Sequence, residues 1–94
     1  MSMRKVLTWV LLGTKGGHNR AKIIKELHNL PANAHQLSKK LNLNYRTITH
    51  HLDVLEEMKV VEKTGKKYGQ IYMLSDKMET HYDDFEKIWV QLKE

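Results

Sequence analysis

Only three residues, Asn42, Leu43 and Asn44, separate two stretches of helical apolar spacing, and this constrains the chain more than any other feature. Before them Ala34, Leu37 and Leu41 recur at intervals of three and four. After them Ile48, Leu52 and Leu55 do the same, with His51 alongside. Asn33 and Asn44 stand where each helix begins, and a short polar side chain there accepts a hydrogen bond from a first-turn amide. The pattern predicts a short third helix ending near Asn42 and a fourth running from a cap at Asn44 to about Met58. Leu43 is placed to plug the angle between them, so the layout is helix, tight turn, helix.

The flanks complete the outline. Met3, Val6, Leu7, Trp9, Val10, Leu11 and Leu12 put apolar groups almost all round a helix over about 3–13, which therefore seeks burial on more than one face. Gly13, Gly16 and Gly17 end it. A second helix, about 18–30, carries Ile23, Ile24, Leu27 and Leu30 and stops before Pro31. After Lys59 the pattern changes: Val60–Lys63 and Gln70–Leu74 are β-prone and flank Thr64–Gly69, which reads as a hairpin with a basic turn. Ser75 or Asp76 can cap a last helix running to about Leu92. The expected fold class is α+β, mostly α: a helix-turn-helix with a two-stranded β-hairpin wing and an extra C-terminal helix. Residues 1–94 are expected to form a single domain.

Composition narrows the chemistry. The chain has no cysteine, which removes disulfides, thiolate metal sites and cysteine nucleophiles and fits a reducing, cytoplasmic setting. The longest apolar run, Val6 to Leu12, falls far short of the roughly 20 residues a membrane helix needs, so no membrane partner is expected. Gly13-Thr14-Lys15-Gly16-Gly17 lacks the spacing of a phosphate-cradling loop, and no nucleophile–base constellation can be placed, so the chain is not expected to be an enzyme or to carry a cofactor. Charge is divided. Residues 1–74 hold 13 Lys/Arg against 5 Asp/Glu, whereas residues 75–94 hold 3 against 6. A basic body suits a polyanionic partner.

A two-stranded hairpin is marginal alone and must lean on the helices, which sets its tip beside the fourth helix. The first turns of that helix present Tyr45, Arg46, Thr47, Thr49 and His50, with Asp53 the first acid. Side chains of these types read base edges in a major groove. Lys66, Lys67 and Tyr68 at the wing tip suit phosphates or the neighbouring minor groove, and Arg20, Gln36, Lys39 and Lys40 suit flanking phosphates. Double-stranded DNA is the expected partner. Alternatives are a winged helix serving protein–protein contact, or an RNA-binding protein using the same basic surface.

These residues resemble the ArsR-like winged-helix regulators, and most closely a small archaeal-type branch. The resemblance covers about residues 16–74. It rests on Gly16, Gly17 and Arg20 as GG-x-x-R, Asn33-Gln36-Leu37 as N-x-x-Q-L, Tyr45 to Leu55 as the recognition helix, and Tyr68-Gly69 with Tyr72 in the wing. It implies that Tyr45, Arg46, Thr47, Thr49 and His50 lie on the DNA side. One departure is Met58-Lys59, where the family usually has Asn-Gly between recognition helix and strand.

The last helix bears on assembly. Met78, Tyr82, Phe85, Trp89 and Leu92 follow spacings of four, three, four and three, with Ile88 beside them. With Val6 and Val10 of the first helix they form the expected homodimer interface, residues 1–13 and 75–94 serving dimerisation. Some relatives sense metals through Asp/His pairs on this helix. Here only Glu79, His81, Asp83 and Asp84 are candidates, and no metal site is expected from them. Adjacent His50 and His51 point about 100° apart and cannot chelate one ion, so His51 is expected to pack inward and His50 to face out. No dedicated small-molecule ligand is evident.

Overall fold

The computed structural model describes residues 2–65 and 69–93. Six helices and a hairpin follow in the order α1 (Met3–Leu12), α2 (Gly17–Asn29), α3 (Ala34–Leu41), α4 (Tyr45–Glu57), β1 (Val61–Thr64), β2 (Ile71–Leu74), α5 (Asp76–Thr80) and α6 (Tyr82–Lys93). One core runs through all of them, from Leu7, Val10 and Leu11 of α1 through Ile23, Ile24, Leu37, Ile48, Leu52 and Leu55 to Met78 and Phe85.

The helix-turn-helix forms for local reasons visible in its caps. Asn33 Oδ1 accepts from the Gln36 amide and Gln36 Oε1 accepts from the Asn33 amide, both at 2.8 Å, a reciprocal capping box. Asn42 closes α3 in the left-handed region at φ 54°. The Ser38 hydroxyl donates to the Leu43 carbonyl at 2.5 Å, and Leu43 is half-buried against the core. Asn44 Oδ1 then accepts from the Arg46 amide at 2.7 Å to start α4.

At the far end of α4 the Lys59 amide bonds the Glu56 carbonyl and the Val60 amide bonds the Leu55 carbonyl, with Val60 and Leu55 both buried. This double bond pattern with an apolar clasp is the usual helix stop around a left-handed residue. Lys59 occupies that position at φ 67°. The Met58-Lys59 departure therefore preserves the turn, at the conformational cost that glycine avoids.

The hairpin pairs Val61 with Leu74 through Thr64 with Ile71 in antiparallel register. It does not stand alone. Ala32, in the α2–α3 loop, exchanges both backbone bonds with Tyr72, at 3.1 and 2.8 Å. That extra rung fixes the hairpin to the base of the helix-turn-helix.

Two expectations are corrected here. The last helix is not continuous: it breaks at His81, whose backbone leaves the helical region at φ −105°, ψ 20°. Ser75 starts α5 by accepting from the Met78 amide, and its hydroxyl donates to the Lys59 carbonyl, so α5 follows the hairpin while α6 packs on α1. Arg20, expected to anchor a phosphate, is instead interior, 5% exposed. Its Nε donates to His51 Nδ1 at 3.1 Å, and its Nη1 donates to the Val10 carbonyl at 3.2 Å and to Thr14 Oγ1 at 2.6 Å. The glycines beside it make this approach feasible. A Cβ on Gly17 would lie 1.9 Å from the Leu11 carbonyl oxygen, and Gly16, at φ 87°, would place one 2.6 Å from His51 Cε1.

Burial first, and then the neighbouring Arg20 and His50, hold the His51 imidazolium below its ordinary range, and its Nδ1 must stay unprotonated to accept from Arg20. The unfolded chain thus takes up the His51 proton before the folded one does. Stability from this bond is complete above about pH 6.5 and is lost as pH falls below it, by up to about 1.4 kcal/mol per pH unit. Urea unfolding between about pH 5 and pH 8 should show this slope, and His51→Gln should flatten it. Gly17→Ala should cost about 1–3 kcal/mol by crowding the α1 carbonyl. Lys59→Gly should raise the melting temperature, by relieving about 1 kcal/mol of left-handed strain.

Candidate nucleic-acid interface

Burial of Ile48, His51, Leu52 and Leu55 fixes how α4 is turned about its own axis. At 100° per residue this directs Arg46, Thr49, His50 and Asp53 away from the core. Tyr45, 46% exposed, Arg46 and His50 are open to solvent, and Thr49 is half-buried on the flank facing the hairpin. Thr47 lies on the opposite flank and is half-buried. The Thr49 hydroxyl donates to the Arg46 carbonyl at 3.0 Å, leaving its lone pairs to accept from a partner. His50 and His51 divide as expected, one exposed and one buried, with ring centroids 5.5 Å apart and tilted by 54°.

Between α4, the start of α3 and the hairpin runs a groove of about 280 Å³. It is lined by Asn33, His35, Tyr45, Thr49, Gln70 and Tyr72, among others. Its wall contains a contact that sequence reading missed: the Tyr45 ring stacks on His35 at 4.4 Å and 23°. The stack holds Tyr45 beside the helix start and makes His35 part of the same face. His35 is the second residue of α3 and Tyr45 the first of α4, so only the packing of the two helices joins them.

The remaining cations are distributed unevenly. Lys39 is exposed. Lys40 is drawn to Glu26 at 2.9 Å. Gln36 has its oxygen committed to the cap, which leaves its amide N–H groups to donate outward. Arg20 is behind α4 rather than on this face. Lys66, Lys67 and Tyr68 lie outside the described residues.

The residues expected to join two chains also divide. Val6, Val10, Met78 and Phe85 are buried within the chain itself, because the break at His81 lets α6 fold across α1. They are core residues and do not present an interface. Tyr82, half-buried, stacks on His28 at 3.6 Å and 10°, and Trp89 and Leu92 are half-buried. The exposed apolar groups of the two helices are Trp9 and Leu12 of α1, 47% and 46% exposed, and Val90 of α6, 56% exposed. Among the described residues no three His, Asp or Glu side chains converge as metal ligands, and no helix is long and apolar enough to cross a membrane.

Comparison with known proteins agrees with this geometry. A search of the curated proteins finds no match to this chain. Among solved structures, the homodimeric winged helix-turn-helix DNA-binding domain Mb0332 of Mycobacterium bovis superposes with a TM-score of 0.71 at 17% identity, over 96% of this chain and 79% of that one. HlyU of Vibrio cholerae gives 0.70 at 20% identity, over 96% of this chain and 99% of that one. ZitR of Lactococcus lactis gives 0.60 at 17% identity over 79% of this chain, which spans only 56% of its length. Such identities establish the winged helix-turn-helix fold. The bacterial regulatory protein family arsR matches residues 18–63, from α2 through α4 into β1. Over that segment the chain is similar to the arsR family, and its whole fold is that of the winged helix-turn-helix structures.

Proposed function

We propose that this protein is a homodimeric, sequence-specific, double-stranded DNA-binding transcription regulator. The observation that carries the reading is the outward face of α4. Its first two turns offer Tyr45, Arg46, Thr49 and His50 without a carboxylate, on a helix whose rotation is set by a buried stripe. A helix of this kind fits the major groove. Arg46 donates to a base edge, guanine O6 and N7 being the best match for its fork. Thr49, its own proton directed to the backbone, accepts from an exocyclic amine. Tyr45 and His35 close one side against the sugar–phosphate backbone, and Lys39 meets a flanking phosphate. Lys66, Lys67 and Tyr68 are assigned to phosphates or the minor groove.

The same reading supplies the partner chain. Trp9, Leu12 and Val90 leave apolar surface on α1 and α6, and a twofold axis through these helices covers it. Mb0332, described as homodimeric, has the same fold. Two recognition helices then enter successive major grooves about 34 Å apart, on a pseudo-palindromic site.

Selection from a random duplex pool, followed by affinity measurement at two salt concentrations, tests this directly. A palindromic motif whose affinity falls steeply with salt is expected. Arg46→Ala should cost about 1–3 kcal/mol on the selected site and relax preference at one base pair. Lys67→Ala should weaken all sequences alike and lower the salt slope by about one. Binding without an enriched motif would remove operator recognition, and absence of duplex binding would favour a protein-contact role.

A further inference from the structure

A second concavity, sharing no lining residue with the groove beside α4, lies between α2, the end of α3 and α6. Its volume is about 380 Å³ and its walls are His18, Lys22, Lys25, Glu26, Leu41 and Trp89. That size suits a small organic ligand. The Trp89 indole is aligned with Phe85 at 6.3 Å and 15°, tilted against His18 at 5.5 Å, and approached by Lys25 Nζ at 5.3 Å from the ring centre. His18, Lys22 and Lys25, spaced by four and three, share one face of α2.

The charge in this cleft that has no ion-pair partner among the described residues is positive. The cleft's single carboxylate, Glu26, is already paired with Lys40 at 2.9 Å. Neither Lys22 nor Lys25 has a carboxylate partner among the described residues.

We propose that this cleft binds a small aromatic carboxylate. The ring lies against Trp89 and Leu41, where apolar surface is available, and the carboxylate meets the ammonium groups of Lys22 and Lys25. An organic cation would be repelled by the same groups, and an inorganic anion would leave the indole and Leu41 unused. Leu41 is the last residue of α3, so an occupant bridges α6 to the helix-turn-helix. Binding and DNA affinity are then reciprocally coupled. That coupling rests on the DNA-binding reading, whereas the binding itself does not.

Titration of the nitrogen-15-labelled full chain with naphthalene-1-carboxylate, followed through the indole N–H resonances, tests the site. Naphthalene-1-methylammonium provides the same ring with the opposite charge, and Trp9→Phe assigns the two indole signals. The carboxylate should move the Trp89 resonance saturably and leave that of Trp9 in place, while the ammonium probe leaves both. Lys22→Glu with Lys25→Glu should weaken binding by at least about tenfold, and Lys22→Gln with Lys25→Gln serves if charge reversal unfolds the chain. Equal response to both probes, parallel unsaturated shifts of Trp9 and Trp89, or unchanged affinity in the folded lysine variant would overturn the proposal. Duplex binding measured on the same samples separates failure of this site from failure of the DNA reading.

Discussion

Arg20 is a buried cation with no carboxylate partner among the described residues, and the arrangement of α1, α2 and α4 depends on how it is held. Three acceptors from three places converge on it: the Val10 carbonyl near the end of α1, Thr14 Oγ1 in the following loop, and His51 Nδ1 on α4. The carbonyl end of a helix carries partial negative charge, and α1 has no basic residue of its own in the last turn. Arg20 supplies that charge from α2. Burying a guanidinium is costly, so the network is stable only when every acceptor is in place. This makes neutral His51 and the two close-packed glycines joint requirements.

The consequence reaches the proposed DNA face. His51 is pinned from behind by Arg20, and it shares α4 with Arg46, Thr49 and His50. The rotation of α4 is therefore fixed partly by an interaction with α2 on its hidden side. The wing is referred to the same frame from another direction, through the Ala32–Tyr72 bonds. The groups proposed to act together on a duplex are thus mounted on a shared scaffold, and positional precision of that kind is what base readout requires.

Much of this was readable from local rules. Asn33 and Asn44 are caps because a short polar side chain meets free amides at a helix start, and both behave so. The Ala34–Leu41 and Ile48–Leu55 stripes face inward because helical periodicity leaves them little choice once one face is covered. The split between His50 and His51 follows from the same 100° step. These features depend on residues within a few positions of one another, so sequence alone determined the helix-turn-helix and the outward placing of Tyr45, Arg46 and His50, whereas Thr47, expected with them, is half-buried on the far flank of α4.

Only the tertiary structure decided the rest. An arginine three residues after a glycine pair, in a basic chain, has the local appearance of a phosphate anchor. Its true role depends on positions 10, 14 and 51 meeting it in space. The regular spacing from Met78 to Leu92 likewise suggested one continuous seam, yet the chain bends at His81 because α5 is tied to the hairpin through Ser75 while α6 is drawn onto α1. His35 joins Tyr45, and Lys25 joins Trp89, only through helix packing. Periodicity specifies which face of an element is apolar, but the identity of the surface that covers it is a long-range property, set by how all the faces are buried together.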